Sequence, residues 1–100
     1  MAGRYVIGVD GGTESLRAGV FDLAGTPLAF AIAPYETRFP APGRAEQEPR
    51  EWWRAIGRAV RQAVDEAKVG SDAIAAIAVD TTCCSVVALD GAGDALRPAL

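Results

Sequence analysis

Three short apolar runs stand close together near the start of the chain, Tyr5–Val9, Leu16–Phe21 and Leu28–Ala33, with only turn-forming residues between them. Connections this short suit an antiparallel meander. The first connection opens with Asp10-Gly11-Gly12, the second is Asp22-Leu23-Ala24-Gly25-Thr26-Pro27, and Pro34 closes the third run. Phe39–Glu48 holds Pro40, Pro42 and Gly43 and reads as a loop. A helix is expected from Pro49. Proline suits a first turn, and Glu51 complements the positive end of the dipole. Trp53, Ile56, Val60, Ala63, Val64 and Ala67 recur at helical spacing and predict the packed face, Trp53 included. Arg54, Arg58, Arg61, Asp65 and Glu66 fill the other face, and the helix is predicted to stop before Gly70. Ile74–Val79 predicts a fourth strand and Ser85–Leu89 a fifth, with Asp80-Thr81-Thr82-Cys83-Cys84 between them. Three strands, a helix and further strands make an α/β layer with a mixed sheet.

The chain has 100 residues, enough for one domain at most. Half are hydrophobic and 23% are charged, as in a globular protein rather than a disordered one. A net charge of −3 offers nothing to nucleic acid. No apolar run approaches the roughly 20 residues that cross a bilayer, and the opening residues lack the apolar core of a signal peptide. A cytoplasmic protein without membrane or nucleic-acid partners is the expectation. The two cysteines, Cys83 and Cys84, are adjacent and cannot staple distant segments. They are expected to be reduced, unbonded to each other and buried. The chain has no histidine and no Cys-x-x-Cys pair, which argues against a zinc site and excludes any Ser-His or Cys-His triad within these residues.

The stretch richest in chemistry is Val9-Asp10-Gly11-Gly12-Thr13-Glu14-Ser15. A carboxylate at the end of a buried strand is rigidly placed, and Asp10 could hold Mg²⁺ directly or through its waters. Gly11 and Gly12 let backbone N–H groups come close to a phosphate. Thr13 and Ser15 add hydroxyls, and Arg17 adds a permanent cation. The P-loop is excluded because no lysine lies nearby. The dinucleotide fingerprint is excluded because Gly8, Gly11 and Gly12 have the wrong spacing and a strand follows. The competing reading is an ordinary hairpin turn.

Ile7-Gly8-Val9-Asp10-Gly11-Gly12-Thr13-Glu14-Ser15-Leu16-Arg17 resembles the first phosphate loop of the actin/Hsp70/sugar-kinase ATPase superfamily. Pro42-Gly43-Arg44-Ala45-Glu46-Gln47-Glu48-Pro49, followed by Trp52-Trp53, is similar to a segment of the FGGY carbohydrate kinases. Ile74–Val79 resembles the strand that follows their first helix. Asp80–Asp90 is similar to the loop and strand of the ribulokinase/xylulokinase-like branch. Leu96-Arg97-Pro98-Ala99-Leu100 matches a further family phrase. The resemblance covers almost the whole chain in order, and it implies an RNase H-like, actin-like ATPase fold of which residues 1–100 form the N-terminal portion of the first domain. The remainder of that domain, a second domain and the general-base Asp are expected beyond residue 100.

The resemblance further implies ATP and Mg²⁺ as cofactors and a sugar as substrate, and it admits a homodimer of the full-length protein. Asp10, Gly11, Gly12, Thr13, Glu14 and Arg17 would contact the nucleotide, with Asp10 as the metal residue. Asp80, Thr82, Cys83 and Cys84 would lie by the sugar. At the Cys83-Cys84 pair glycerol kinases carry Arg-Glu and xylulokinases Met-His, so this chain departs from both. A thiol is a weak partner for a hydroxyl, so these cysteines either shape the pocket or are plain small residues in a turn. Glu46 and Gln47 either approach the sugar or cap the helix, and Trp52 either lines the cleft or packs under the loop. ATP-dependent phosphorylation of a sugar, a pentulose such as ribulose or xylulose, is the expected activity of a longer protein, with the 100 residues alone inactive. Another ATPase of the superfamily, or a non-catalytic truncated fragment, is the alternative.

Overall fold

The computed structural model describes residues 3–100. Four strands form one mixed sheet: β1 (Tyr5–Gly11), β2 (Ser15–Asp22), β3 (Pro27–Pro34) and β4 (Ile74–Thr81), in the order β3-β2-β1-β4. β1, β2 and β3 pair antiparallel as the expected meander, and β4 adds to the free side of β1 in parallel. The single helix, α1 (Pro49–Ala67), lies over β2 and β3. A 3-10 turn over Ser71–Ala73 leads into β4. No helix among the described residues is long and apolar enough to cross a membrane.

Alternation along the strands divides the sheet into two faces. Ile7 and Val9 of β1, Leu16, Ala18 and Val20 of β2, and Ala31 and Ala33 of β3 point toward α1 and are buried. From the helix come Ala55, Ala59 and Ala63, spaced four apart and fully buried. The packed stripe is therefore rotated from the expected one. Methyl-sized side chains bring the helix axis close to the sheet, and Ile56, Val60, Val64 and Ala67 flank that contact half-buried. Trp53, expected in the core, is instead 78% exposed, because position 53 lies well round the helix from the buried seam of Ala55, Ala59 and Ala63.

The Glu48 side chain caps the helix by accepting from the Arg50 amide, so neither Glu46 nor Gln47 performs that task. The helix ends at Ala67. Lys68 takes the left-handed conformation at φ 57° and returns its amide to Asp65 O.

Two further expectations are corrected. Ser85–Leu89 is not a fifth sheet strand. It turns away from β4 and folds back on the end of the chain, with Val86 and Leu100 exchanging backbone hydrogen bonds of 3.1 and 3.0 Å. An apolar run becomes a strand only where an edge receives it, and this one meets the 95–100 segment before it meets β4. The cysteines are free thiols, as expected, but both are exposed rather than buried. Their loop stands beyond the end of β4 with no element packed over it. β4 itself is apolar almost throughout, yet Ala75 to Thr81 are all exposed.

Candidate active site

The turn between β1 and β2 is held from every side. Four successive carbonyls are hydrogen-bonded. Gly11 O accepts from the Thr82 amide at 3.0 Å and Glu14 O from the Tyr35 amide at 3.0 Å. Between them, Gly12 O accepts from the Tyr35 hydroxyl and Thr13 O from Gln47 Nε2 at 2.6 Å. The turn closes on itself through Gly12 N–H to Ser15 O at 2.9 Å. Neither Gly11 nor Gly12 has a positive φ, so conformational freedom is not what selects glycine here. Space does. A Cβ on Gly12 would lie 3.1 Å from Ser15 O, and one on Gly11 3.3 Å from the Thr81 methyl.

The Thr13 and Glu14 amides are left without an acceptor among the described residues. Two consecutive N–H groups at a turn form a concavity suited to an anion. The amide of Gly12 is committed to the turn, so backbone donation falls to the two residues after it.

Gln47 occupies the centre of the supporting structure. Its Nε2 also donates to Thr37 Oγ1 at 2.8 Å, and its Oε1 accepts from Trp52 Nε1 at 2.9 Å. Its backbone pairs with Ala99. Trp52 is thus half-buried and anchored to Gln47, and it also lines a cleft, so both of its expected places apply. Beside it the Glu46 carboxylate takes Arg44 and Arg97 and pins the last residues of the chain to the 38–46 loop. Burial, and secondarily the charge of Asp10, raises the Tyr35 phenol above its ordinary value of 10.0, so at neutral pH it remains a donor.

The sequence-designated residues separate onto two sides. Thr13, Glu46, Gln47, Trp52, Thr82 and Cys83 line one cleft of about 220 Å³ that leads from the glycine turn to the chain end, joined there by Thr37 and Ser85. Asp80 is not with them. Asp10 pairs in register with Arg17 on one side and with Asp80 on the other, and all three lie on the sheet face away from α1. Asp10 is exposed and makes no ion pair among the described residues. Tyr35 and Thr37 were not singled out from sequence. They follow β3 in an irregular segment whose pattern carries no period, so nothing local marks them.

At this end of the sheet stand an exposed carboxylate, a cation one strand away, and two free amides with neighbouring hydroxyls. Residues 5–100 match the N-terminal domain of the FGGY family of carbohydrate kinases. The chain belongs to that family. Among FGGY kinases it is 33% identical over 97 residues to the glycerol kinase of Thermococcus onnurineus, covering 97% of this chain and 20% of the relative. It is 39% identical over 99 residues to the xylulose kinase of Streptomyces rubiginosus, covering 98% of this chain and 19% of the relative. Its fold superposes on the crystal structure of xylulose kinase from Rhodospirillum rubrum with a TM-score of 0.87 and 36% identity, over 96% of this chain and 20% of the other. The expected fold is thereby established: an N-terminal part of the FGGY kinase domain, of the actin-like ATPase type. The alternative of a different superfamily ATPase falls. The chain spans about a fifth of the length of these curated relatives.

Proposed function

We propose that the full-length protein transfers the terminal phosphoryl group of ATP to a hydroxyl of a sugar or polyol, with a pentulose such as ribulose or xylulose as its substrate. The observation that carries the reading is the glycine turn, with every carbonyl from Gly11 to Glu14 tied back and the Thr13 and Glu14 amides open. Donors already fixed in place stabilise a transferring phosphoryl without reorganising at the moment of reaction. Family membership supports the reaction class, and relatives named glycerol kinase and xylulose kinase support a small polyhydroxylated acceptor.

Thr13 and Glu14 bind phosphate through their amides, Thr13 also through its hydroxyl, and Gly11 and Gly12 give the ligand close access. Arg17 adds positive charge beside Asp10. Magnesium fits the exposed, unpaired Asp10 carboxylate, a hard oxygen donor, and when bound supplies charge neutralisation to the phosphate oxygens. The cleft lined by Thr82 and Cys83 holds the sugar, with Cys84 on the same loop, and Asp80 serves the phosphate side through its place next to Asp10. The base that accepts the hydroxyl proton lies outside these residues. Asp10→Asn in the full-length protein should keep the fold and lose on the order of 10²-fold in rate. Steady-state phosphorylation of a pentulose within a few-fold of wild type would reduce Asp10 to a turn residue.

A further inference from the structure

We propose that Gln47 and Tyr35 are positioning residues that aim the Thr13 and Glu14 amides at nucleotide phosphate. The proposal rests on the reading of the glycine turn as a phosphate site and deepens it.

Within a trans peptide the C=O and the following N–H point in opposite directions. The Gly12 carbonyl shares its plane with the Thr13 amide, and the Thr13 carbonyl with the Glu14 amide. Fixing those two carbonyls therefore fixes the two free donors. The Tyr35 hydroxyl holds the first and Gln47 Nε2 the second. Both side chains approach from the side of the 35–48 segment, so the amides are turned away from it.

The carboxamide of Gln47 has no freedom to relax. Nε2 serves Thr13 O and Thr37 Oγ1, and Oε1 is held by the Trp52 indole at 2.9 Å. Trp52 sits in the first turn of α1, so the helix fixes which way round the amide lies. The indole N–H can only donate and requires the oxygen to face it, and that leaves the NH₂ group toward Thr13. A glutamate at position 47 could satisfy Trp52 but would set a carboxylate against the Thr13 carbonyl. Tyr35 remains protonated at neutral pH and has a carbonyl before it, so its role is donation and not proton transfer.

Neither side chain makes the bond that closes the turn on itself, Gly12 N–H to Ser15 O, or the backbone bonds from Thr82 and Tyr35 to Gly11 O and Glu14 O. Their loss should therefore unaim the amides without unfolding the turn.

The test uses the full-length kinase and three variants, Gln47→Met, Tyr35→Phe and Asp10→Asn. The readouts are kcat, the KM values for ATP and for sugar, and equilibrium binding of ATP and of adenosine. Gln47→Met should lower kcat/KM for ATP by about tenfold or more and weaken ATP binding, while adenosine binding stays within twofold. Tyr35→Phe removes one oxygen and should act in the same direction with a smaller fold-change. It also serves where Gln47→Met does not yield folded protein. Equal losses for ATP, adenosine and sugar would show a merely structural role and overturn the proposal. An unchanged Tyr35→Phe and Gln47→Met beside an impaired Asp10→Asn would overturn it while leaving the phosphate-site reading intact. If all three variants matched wild type, that reading itself would fall.

Discussion

The glycine turn after β1 and the cysteine loop after β4 leave the sheet side by side, at the same end of two parallel strands, and they are held in opposite ways. Thr82 joins them through its amide to Gly11 O. Beyond that bond the glycine turn has a partner for each carbonyl from Gly12 to Glu14, supplied by Tyr35 and Gln47. The cysteine loop has almost none. Cys83 and Cys84 are exposed, their sulfurs 3.7 Å apart, and Cys84 takes a left-handed φ of 71° that glycine would adopt more readily. Preorganisation is concentrated at the turn whose Thr13 and Glu14 amides are open. The neighbouring loop, facing the cleft, has its shape set by little more than its own chain.

The comparison can be broken by changes of the same size made in both loops. The largest effect is expected from Gly12→Ala. Its new methyl meets Ser15 O at 3.1 Å, so the turn must shift by tenths of an ångström. A displaced donor pair should lower kcat/KM for ATP by about ten- to a hundredfold in the full-length kinase, measured at saturating sugar. Wild-type kinetics would show that the turn tolerates movement and is not preorganised. A smaller effect is expected from Cys83→Ser with Cys84→Ser. The cleft lining changes chemistry but not size, so the sugar KM should move a few-fold while the ATP KM holds. Movement of the ATP KM instead would place this loop at the nucleotide. Smallest of all is Cys84→Gly, which relieves the left-handed backbone. It should raise stability by about 1 kcal/mol or less, read by thermal or denaturant unfolding. A clear loss would mean that the cysteine side chain makes contacts that outweigh its backbone strain.

How much of this was legible in the sequence follows from the range of each interaction. The meander, α1 and β4 rest on apolar patterns within single segments, and those patterns carry period 2 or 3.6 on their face. The packed stripe of α1 was misplaced by a short rotation, because Ala55 and Ala59 carry a weak hydrophobic signal next to Trp53 and Ile56. Ser85–Leu89 has the composition of a strand, but composition cannot say whether an edge will be there to meet it. Asp10, Gly11, Gly12 and Thr13 stood out because their turn is contiguous. The Tyr35 and Gln47 supports did not, since their bonds to the turn cross 23 and 34 positions of chain and leave no local trace. The division of Asp80 from Thr82 was equally hidden, for residues two apart would share a face in a continuing strand, and it arises because β4 ends at Thr81 between them.

β4 carries a consequence for anyone handling this stretch of polypeptide by itself. Its outer edge is a row of unpaired peptide groups along an eight-residue strand with no lysine or proline to blunt it, and Asp80 is its sole charge. Ile77 and Val79 stand more than half exposed on the side of the helix. A flat, apolar, unguarded edge of that kind is a template onto which another strand can add. Its behaviour in a test tube is then a matter of concentration: dilute chains stay apart, and crowded ones recruit one another through the strand that most resembles a core and least resembles a surface.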